Sequence, residues 1–578
     1  MFVVAILVLI GHGIFFHWLP GFLRSRRSAS LKFSPYFKFL SLWDRATGCC
    51  CLNTRWGKWY FQPSILLLGV CYIGLAVAFC FLETEDIDYE PHYYIIGKRI
   101  GRVAVGNLIP LFLCIMKSDL VAAVSGLQHD RVTFLHKWLG RLMWVLLTAH
   151  MIICLYYWLS MNFLIMIEIP PQIFGMISYA CMFFLTWGSL RFIRSWAFDF
   201  FLAQHRVFNF IMLLLAFFHN HANRAVVLIA VHSLVVDKIV GRVITFIHKR
   251  FSPTRGMSDF EILDDDTLLV TYPMKVTEQP WWTTFLPKVY TWKPGQHVYL
   301  NVWKVSKFQY HPFTISSLPE SGNIVLVIRK QNGFTKKLFK KLQQIKEEDP
   351  EGTLQLKASI AGPAGGKHQP LISFDTSLFL SAGAGASYTL PLVLDLVQEI
   401  KHRNSIEDFL HRPQNVSIRF VWVVRKKSNI LWYKHILREL LPYIKDGTIA
   451  FEVYVTQESS EQIDNGNSSI ENTSSDGLMD GLDSSCKKSE SIDVFDKWTS
   501  EESSVSLLDD CSIQFSYRRP DLAYIIEEEA LKLTDKELKA LSVSSCGPQL
   551  FVNLIKHECI KNKRPRYAPD IYCHSEVF

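Results

Sequence analysis

The sequence predicts an α-helical membrane bundle of about seven transmembrane helices, followed by an antiparallel β-barrel and an α/β nucleotide-binding domain. Three observations carry that expectation. Apolar stretches of roughly 20 residues, the length a helix needs to cross a bilayer core, crowd the first 247 residues. Beyond about Arg250 the pattern changes to short strands punctuated by Gly and Pro, as in a small barrel. After Lys367 it changes again to strand, glycine turn, helix, the order of a nucleotide-binding βαβ unit.

Composition agrees with a membrane protein. The chain has 578 residues, 49% of them hydrophobic, and its mean hydropathy is positive at +0.15, which is more apolar than a soluble enzyme of that size. The formal charge is +8, but Lys and Arg flank apolar runs or lie in the C-terminal half instead of forming a basic domain. They are therefore topology determinants, and no nucleic-acid partner is expected. The 13 cysteines include no repeated CxxC pair. Cys71, Cys80, Cys114, Cys154 and Cys181 sit in apolar stretches as small buried thiols, and no disulfide framework is implied. Cys49, Cys50 and Cys51 are adjacent, and three chain neighbours do not readily converge on one tetrahedral ion.

Seven stretches have spanning length: residues 2–22, 60–82, 99–116, 136–159, 172–190, 203–219 and 225–247. The first lacks a basic leader and a small-residue cleavage site, so it reads as a retained helix. Loop charge sets the orientation. Arg24, Arg26, Arg27, Lys32, Lys38, Arg45, Arg55 and Lys58 face a single acid, Asp44, in the first loop, whereas the next loop carries Glu83, Glu85, Asp86, Asp88 and Glu90. The basic loop is then cytosolic. Arg191, Arg194, Lys249 and Arg250 also fall on the inner side, and the last span returns the chain to the cytosol.

The fourth span carries His136 and His150 and the sixth carries His205 and His219, each pair fourteen positions apart. At about 100° and 1.5 Å per residue, fourteen residues bring both rings to nearly one face, about 21 Å apart along the axis. Polar residues at that depth are costly and mark function. The spacing suits two b-type haems, one near each leaflet, with His136 paired to His205 and His150 to His219. Bis-histidine ligation leaves no open iron position and favours outer-sphere electron transfer. His221 competes for the outer position, Arg141 lies near the inner one as either a propionate partner or a snorkelling side chain, and His232 reads as a polar residue satisfied between helices.

Two barrel stretches stand out: Lys293-Pro294-Gly295-Gln296-His297, and His311-Pro312-Phe313-Thr314-Ile315-Ser316-Ser317. A flavin needs a flat apolar contact, a donor near its ring edge and amides for its pyrophosphate. Phe313, Thr314 and the turn Gly333-Phe334-Thr335 are suited to supply them. In the last domain the strand over 378–381 runs into Ala382-Gly383-Ala384-Gly385-Ala386-Ser387, with Pro391 beyond. That turn brings backbone and a helix N-terminus to a pyrophosphate. A second buried strand, 418–424, ends in Arg425, Lys426 and Lys427, where a 2′-phosphate favours NADPH over NADH or where the strand end is simply solvated. A later strand runs into Cys546-Gly547-Pro548. An acidic, Ser-rich insertion over 458–510 has no apolar periodicity and is expected to be disordered; Asn467 and Asn472 lie in it, on the cytosolic side.

With these motifs the chain resembles the ferric reductase and NADPH oxidase family, and most closely its fungal ferric reductase branch, from about Arg99 to the C-terminus. The resemblance implies a ferredoxin-reductase-like cytosolic module. It implies FAD held by Pro312, Phe313 and Thr314 with the barrel turns, and NADPH held by Gly383, Gly385, Arg425 and the Cys546 turn. It also implies an aromatic near the C-terminus over the flavin, either Phe578 or Tyr572. Ala382 and Ala384 stand where relatives often carry additional Gly. The domains expected are 1–98, N-terminal helices and basic loop; 99–247, haem-binding; 248–370, FAD-binding; and 371–578, NADPH-binding. The activity implied is reduction of ferric or cupric ions across a plasma or internal membrane, with dioxygen as the rival acceptor. A non-catalytic transporter or scaffold is the alternative of another class, and no regulatory partner is legible.

Overall fold

The computed structural model describes residues 2–25, 35–54, 57–61, 63–82, 84, 89–116, 120–127, 129–251, 256–274, 292–306, 309–350, 352–366, 368–405, 416–457, 513–533, 540–563 and 570–577. The acidic insertion and Phe578 lie outside the described residues, as does most of the acidic loop from Glu83 to Asp88. The chain divides into two compact units. One comprises Met1–Pro20 and Ser64–Val243, the other Gly21–Pro63 and Ile244–Phe578.

The first unit is helical. Its principal helices are Phe2–Gly13, Pro63–Phe81, His92–Gly106, His129–Ser160, Pro170–Trp187, Phe198–His219 and Asn223–Phe251. Among the described residues, three segments are long and apolar enough to cross a membrane: Ile6–Arg24, Arg131–Ser160 and Phe198–His219, with Leu66–Phe81 as a shorter apolar helix. The expected count of seven is not reached on that measure, and the sequence explains two of the shortfalls. Helix Asn223–Phe251 carries Asp237, Lys238 and Arg242. The expected span over 99–116 is broken: its first helix ends at Gly106 and a second runs from Leu108 to Leu113. Pro110 has no N–H to return to the Gly106 carbonyl, and fully buried Asn107 stabilises the break. Its Nδ2 donates to the Val103 carbonyl (2.8 Å), and its Oδ1 accepts from the Tyr72 hydroxyl (2.6 Å). Met143, Leu146, Met182, Leu185, Met212, Leu213 and Ala230 fill the core between the long helices.

The second unit contains two six-stranded sheets. One is antiparallel, in spatial order His311–Thr314, Gln296–Val302, Gln355–Gly365, Met257–Asp264, Thr267–Pro273, Asn323–Arg329. Its edges are drawn together where the Ser316 N–H donates to the Val325 carbonyl (2.8 Å), so the sheet curls into a barrel. Helix Phe334–Glu348 buries Phe334, Leu338, Phe339 and Leu342 against it, at about 1.5–3 kcal/mol for each large apolar side chain. The other sheet is parallel, in order Gln514–Ser516, Ile449–Val455, Ser417–Val424, Thr376–Ala382, Ala540–Gly547, Asp570–Val577. Near-continuous runs such as Phe420–Trp422 are buried because helices cover both faces. Chain order reverses between Thr376–Ala382 and Ala540–Gly547, and the carboxyl ends of the strands flanking such a switch form a binding crevice.

Candidate functional site

In the helical unit His136 and His150 lie on helix His129–Ser160, and His205 and His219 on helix Phe198–His219. The His150 and His219 rings face one another with centroids 6.4 Å apart and planes at 72°. Each δ nitrogen of the four is already engaged. His136 Nδ1 is 2.9 Å from the Leu111 carbonyl, His150 Nδ1 is 2.8 Å from that of Gly97, and His219 Nδ1 is 2.7 Å from that of Pro171. His205 Nδ1 lies 3.4 Å from Ser189 Oγ, whose hydroxyl is donated to the Leu185 carbonyl. A neutral ring that donates through Nδ1 keeps its lone pair on Nε2, the arrangement that orients metal-ligating histidines.

Two glycines that the motif reading did not single out make room for the rings. A Cβ on Gly101 would stand 2.8 Å from His150 Nδ1, and one on Gly175 would stand 2.6 Å from His219 Cε1. His221 is exposed beyond the helix end, and His232 turns its Nδ1 to the Leu228 carbonyl of its own helix (2.7 Å). Arg141 is exposed over the Trp138 ring at 5.0 Å.

In the mixed unit the Gly383–Gly385 turn and the Cys546–Gly547 strand end meet at the switch in strand order. Cys546 is in register with Ser381, and a Cβ on Gly385 would strike the Cys546 carbonyl at 2.3 Å. Gly383 has φ +53°, a conformation that favours Gly. Its carbonyl accepts from Trp422 Nε1 (3.0 Å), and the Ala384 carbonyl accepts from the Tyr433 hydroxyl (2.9 Å). With those acceptors turned inward, helix Ala386–Ser405 begins on a turn shaped for an anion at its N-terminus. Pro391 is buried inside that helix. Arg425 and Lys426 are exposed at the strand end, while Lys427 is buried with its ammonium 5.4 Å from the centre of the Phe515 ring. Burial pushes the Cys546 thiol well up, so it is held protonated.

The barrel divides its expected residues. Pro312 is exposed and Phe313 and Thr314 are half-buried. His311 instead stacks on Phe334, at 4.1 Å and 14°. Gly333, with φ +85°, opens helix Phe334–Glu348, and the Thr335 hydroxyl is spent on Gln331, accepting from its N–H (2.8 Å) and donating to its carbonyl (3.0 Å). Pro294 and Gly295 are buried: His368 Nε2 reaches the Pro294 carbonyl (3.2 Å), and Tyr388 closes over Gly295, whose absent Cβ would meet the ring at 2.8 Å. Burial pushes the His368 imidazole down to about 4. Tyr572 is half-buried, its ring stacked on Phe374 (5.4 Å) and its hydroxyl oxygen accepting from the Gln369 N–H (3.1 Å). Beside Cys546 in register is Glu576. Burial alone would raise that carboxyl, but the hydrogen bond and charge of His574, with His297, hold it below the usual glutamate value.

Compared with known families, residues 100–216 match the ferric reductase like transmembrane component, 262–368 an FAD-binding domain, and 374–560 the ferric reductase NAD binding domain. The chain belongs to the ferric reductase and NADPH oxidase family. It is an integral membrane member that carries FAD- and NAD-binding domains after its transmembrane part. Among its relatives, a probable cell surface ferric reductase (kap2) of Aspergillus oryzae is 28% identical over 67% of this chain, and the match covers 52% of that protein. The chain thus spans about half the length of that relative. Ferric/cupric reductase transmembrane component 2 of Schizosaccharomyces pombe is 23% identical over 88% of this chain and 86% of its own length. Respiratory burst oxidase homolog protein B of Solanum tuberosum is 24% identical over 47% of this chain and 31% of its own.

Proposed function

We propose that the chain is a multi-pass membrane oxidoreductase that uses cytosolic NADPH to reduce ferric or cupric ions on the opposite face of the membrane. The observation that carries this reading is the facing of His150 and His219 in an apolar bundle with their δ nitrogens tied off. Metal–nitrogen bonds of about 2 Å on either side of a shared ion, plus about 1 Å from nitrogen to ring centre, separate two ring centres by about 6 Å. The observed 6.4 Å fits. His136 and His205 would hold a second haem through the same chemistry.

FAD fits the barrel face of Pro312, Phe313 and Thr314 together with the helix terminus at Gly333. NADPH fits the Gly383–Gly385 turn, with Arg425 for the 2′-phosphate and the Cys546-Gly547-Pro548 turn near the nicotinamide end. When bound, these groups supply the splitting of a two-electron donor into single electrons and their conduction across the membrane. The residues themselves bind, orient and exclude water, and no general base or nucleophile is required. The functional domains follow as 99–247 for haem, 248–370 for FAD and 371–578 for NADPH. With the basic loop of residues 23–58 on the inner side, the positive-inside pattern favours both nucleotide sites in the cytosol. Support for iron or copper as acceptor is the likeness to relatives named for ferric and cupric reduction. Likeness to a respiratory burst oxidase homolog makes dioxygen the second reading. Membranes carrying the protein, given NADPH, should reduce an Fe(III) chelate at a rate that superoxide dismutase leaves unchanged; complete suppression by the dismutase would establish dioxygen as the acceptor instead.

A further inference from the structure

Residues 21–63 cluster with the mixed unit although 180 residues separate them from the rest of it in the chain, and their attachment is specific. Arg24, whose side chain is only 9% exposed, grips Asp570 with two nitrogens: Nε to Oδ2, and Nη2 to Oδ1 at 2.7 Å. Its third nitrogen, Nη1, donates to Gln369 Oε1. The guanidinium lies 5.4 Å from the ring centres of Phe37 and Phe374 and 5.7 Å from that of Tyr572. A planar fork that is bidentate to a carboxylate and enclosed by aromatic rings is the geometry arginine provides and lysine does not. Further along the same segment, Lys563 pairs with Asp44, and the Cys49 carbonyl lies 3.1 Å from His557 Nδ1. Both partners, Lys563 and His557, belong to the segment that leads into the C-terminal strand.

What Arg24 holds is the first residue of that strand, Asp570–Val577. Side chains two apart share a face, so Asp570, Tyr572, His574 and Glu576 form one row. The opposite face packs Ile571 and Cys573 among the residues of helix Gln549–Lys561. Along the row, the Tyr572 hydroxyl is 3.3 Å from His574 Nδ1, and His574 Nε2 is 3.3 Å from Glu576 Oε1. The row begins at Asp570, held by Arg24, and ends at Glu576, in register with Cys546. Beside its middle, the His574 ring stands 6.3 Å from His368, which contacts Pro294 at the barrel turn.

We propose that the described residues of Gly21–Pro63, through Arg24, Asp44 and Cys49, clamp the C-terminal strand and the helix before it, and that Arg24 is a positioning residue for hydride delivery. By fixing Asp570 it sets where Glu576 and the strand end lie against the Cys546 turn. This rests on the reading of the mixed unit as the NADPH–flavin module. A misplacement of about 1 Å at a reacting centre costs up to about 100-fold in rate, so a strand loosened at its anchored end slows transfer without abolishing nucleotide binding.

The test uses the full-length protein loaded with haem and FAD, comparing wild type, Arg24→Ala, Arg24→Asp and the exchanged pair Arg24→Asp with Asp570→Arg. Two readouts are taken: amide hydrogen exchange over residues 570–577 without NADPH, and flavin reduction at saturating NADPH under anaerobic conditions. Arg24→Ala and Arg24→Asp are expected to speed exchange about 10-fold and slow flavin reduction about 10-fold, with the KM for NADPH within about twofold and haem absorbance unchanged. The exchanged pair is expected to recover most of both effects. Unchanged exchange in Arg24→Ala, or faster exchange with an unchanged rate, overturns the proposal. If Arg24→Ala does not accumulate, Asp570→Asn replaces it under the same criteria. Absence of NADPH-dependent flavin reduction in the wild type would sink the NADPH–flavin reading itself, and with it the positioning role, while the exchange data would still decide whether Arg24 holds the strand.

Discussion

The two units build their sites from different materials. In the helical unit the site is made of side chains: four histidines that apolar surroundings leave conspicuous, each with its δ nitrogen engaged by a carbonyl or a serine hydroxyl. In the mixed unit it is made largely of backbone: a positive-φ glycine turn, a helix start and the end of a neighbouring strand, brought together by strand order. A side-chain site fails sharply when one atom set is removed. A backbone site fails gradually, through stability and shape.

That contrast is open to attack in four places. His150→Ala, His219→Ala and the double variant should each lower NADPH-driven acceptor reduction by about 100-fold or more, because the two rings act as one unit and their losses do not add; rates that fall additively would break the pairing. In the mixed unit the corresponding effect is on stability. His368 has its imidazole pushed down to about 4 against an ordinary 6.5. Between those values the unfolded chain binds a proton that the folded one does not, so stability is unaffected above pH 6.5 and falls as pH drops toward 4, by up to about 3 kcal/mol. Denaturant midpoints measured across that range should show this loss in wild type and a smaller one in His368→Gln.

Gly101→Val and Gly175→Val crowd His150 and His219. They should weaken haem retention by about 10-fold or more, as perturbed supporting residues do, while sparing the His136–His205 pair; equal loss at both pairs would mean the glycines serve packing alone. The smallest effect expected is at Arg425, exposed at its strand end. Arg425→Ala should raise the KM for NADPH about 10-fold, near 1.4 kcal/mol, and leave that for NADH almost unchanged.

The same contrast explains what could be read from the sequence. Histidines at equal spacing on two apolar stretches announce themselves, and the structure faces His150 toward His219. The strand–glycine–helix pattern was legible too, since only a few residue types permit such a turn. Roles inside the barrel were not. His311 belongs to a motif yet stacks on Phe334, the Thr335 hydroxyl is consumed by Gln331, and Pro294 and Gly295 lie under His368 and Tyr388. Each depends on a partner distant in sequence, which no local pattern names. Gly101 and Gly175 were hidden for another reason. Small residues are common in membrane helices, and only the ring each one faces shows its use. The contact of Arg24 with Asp570 spans nearly the whole chain, and the positive-inside pattern had already given that arginine a topological role.

Whether electrons from NADPH reach histidine-held haem in the membrane is read from a reduced-minus-oxidised optical spectrum of membranes bearing the wild type and His150→Ala, with NADPH as reductant and an Fe(III) chelate added afterwards. The wild type is expected to show b-type bands that NADPH raises and Fe(III) discharges, and His150→Ala to lose about half the haem with the remainder no longer discharged. Well-expressed wild-type protein without haem bands, or with bands that NADPH cannot raise, would overturn the proposed electron path.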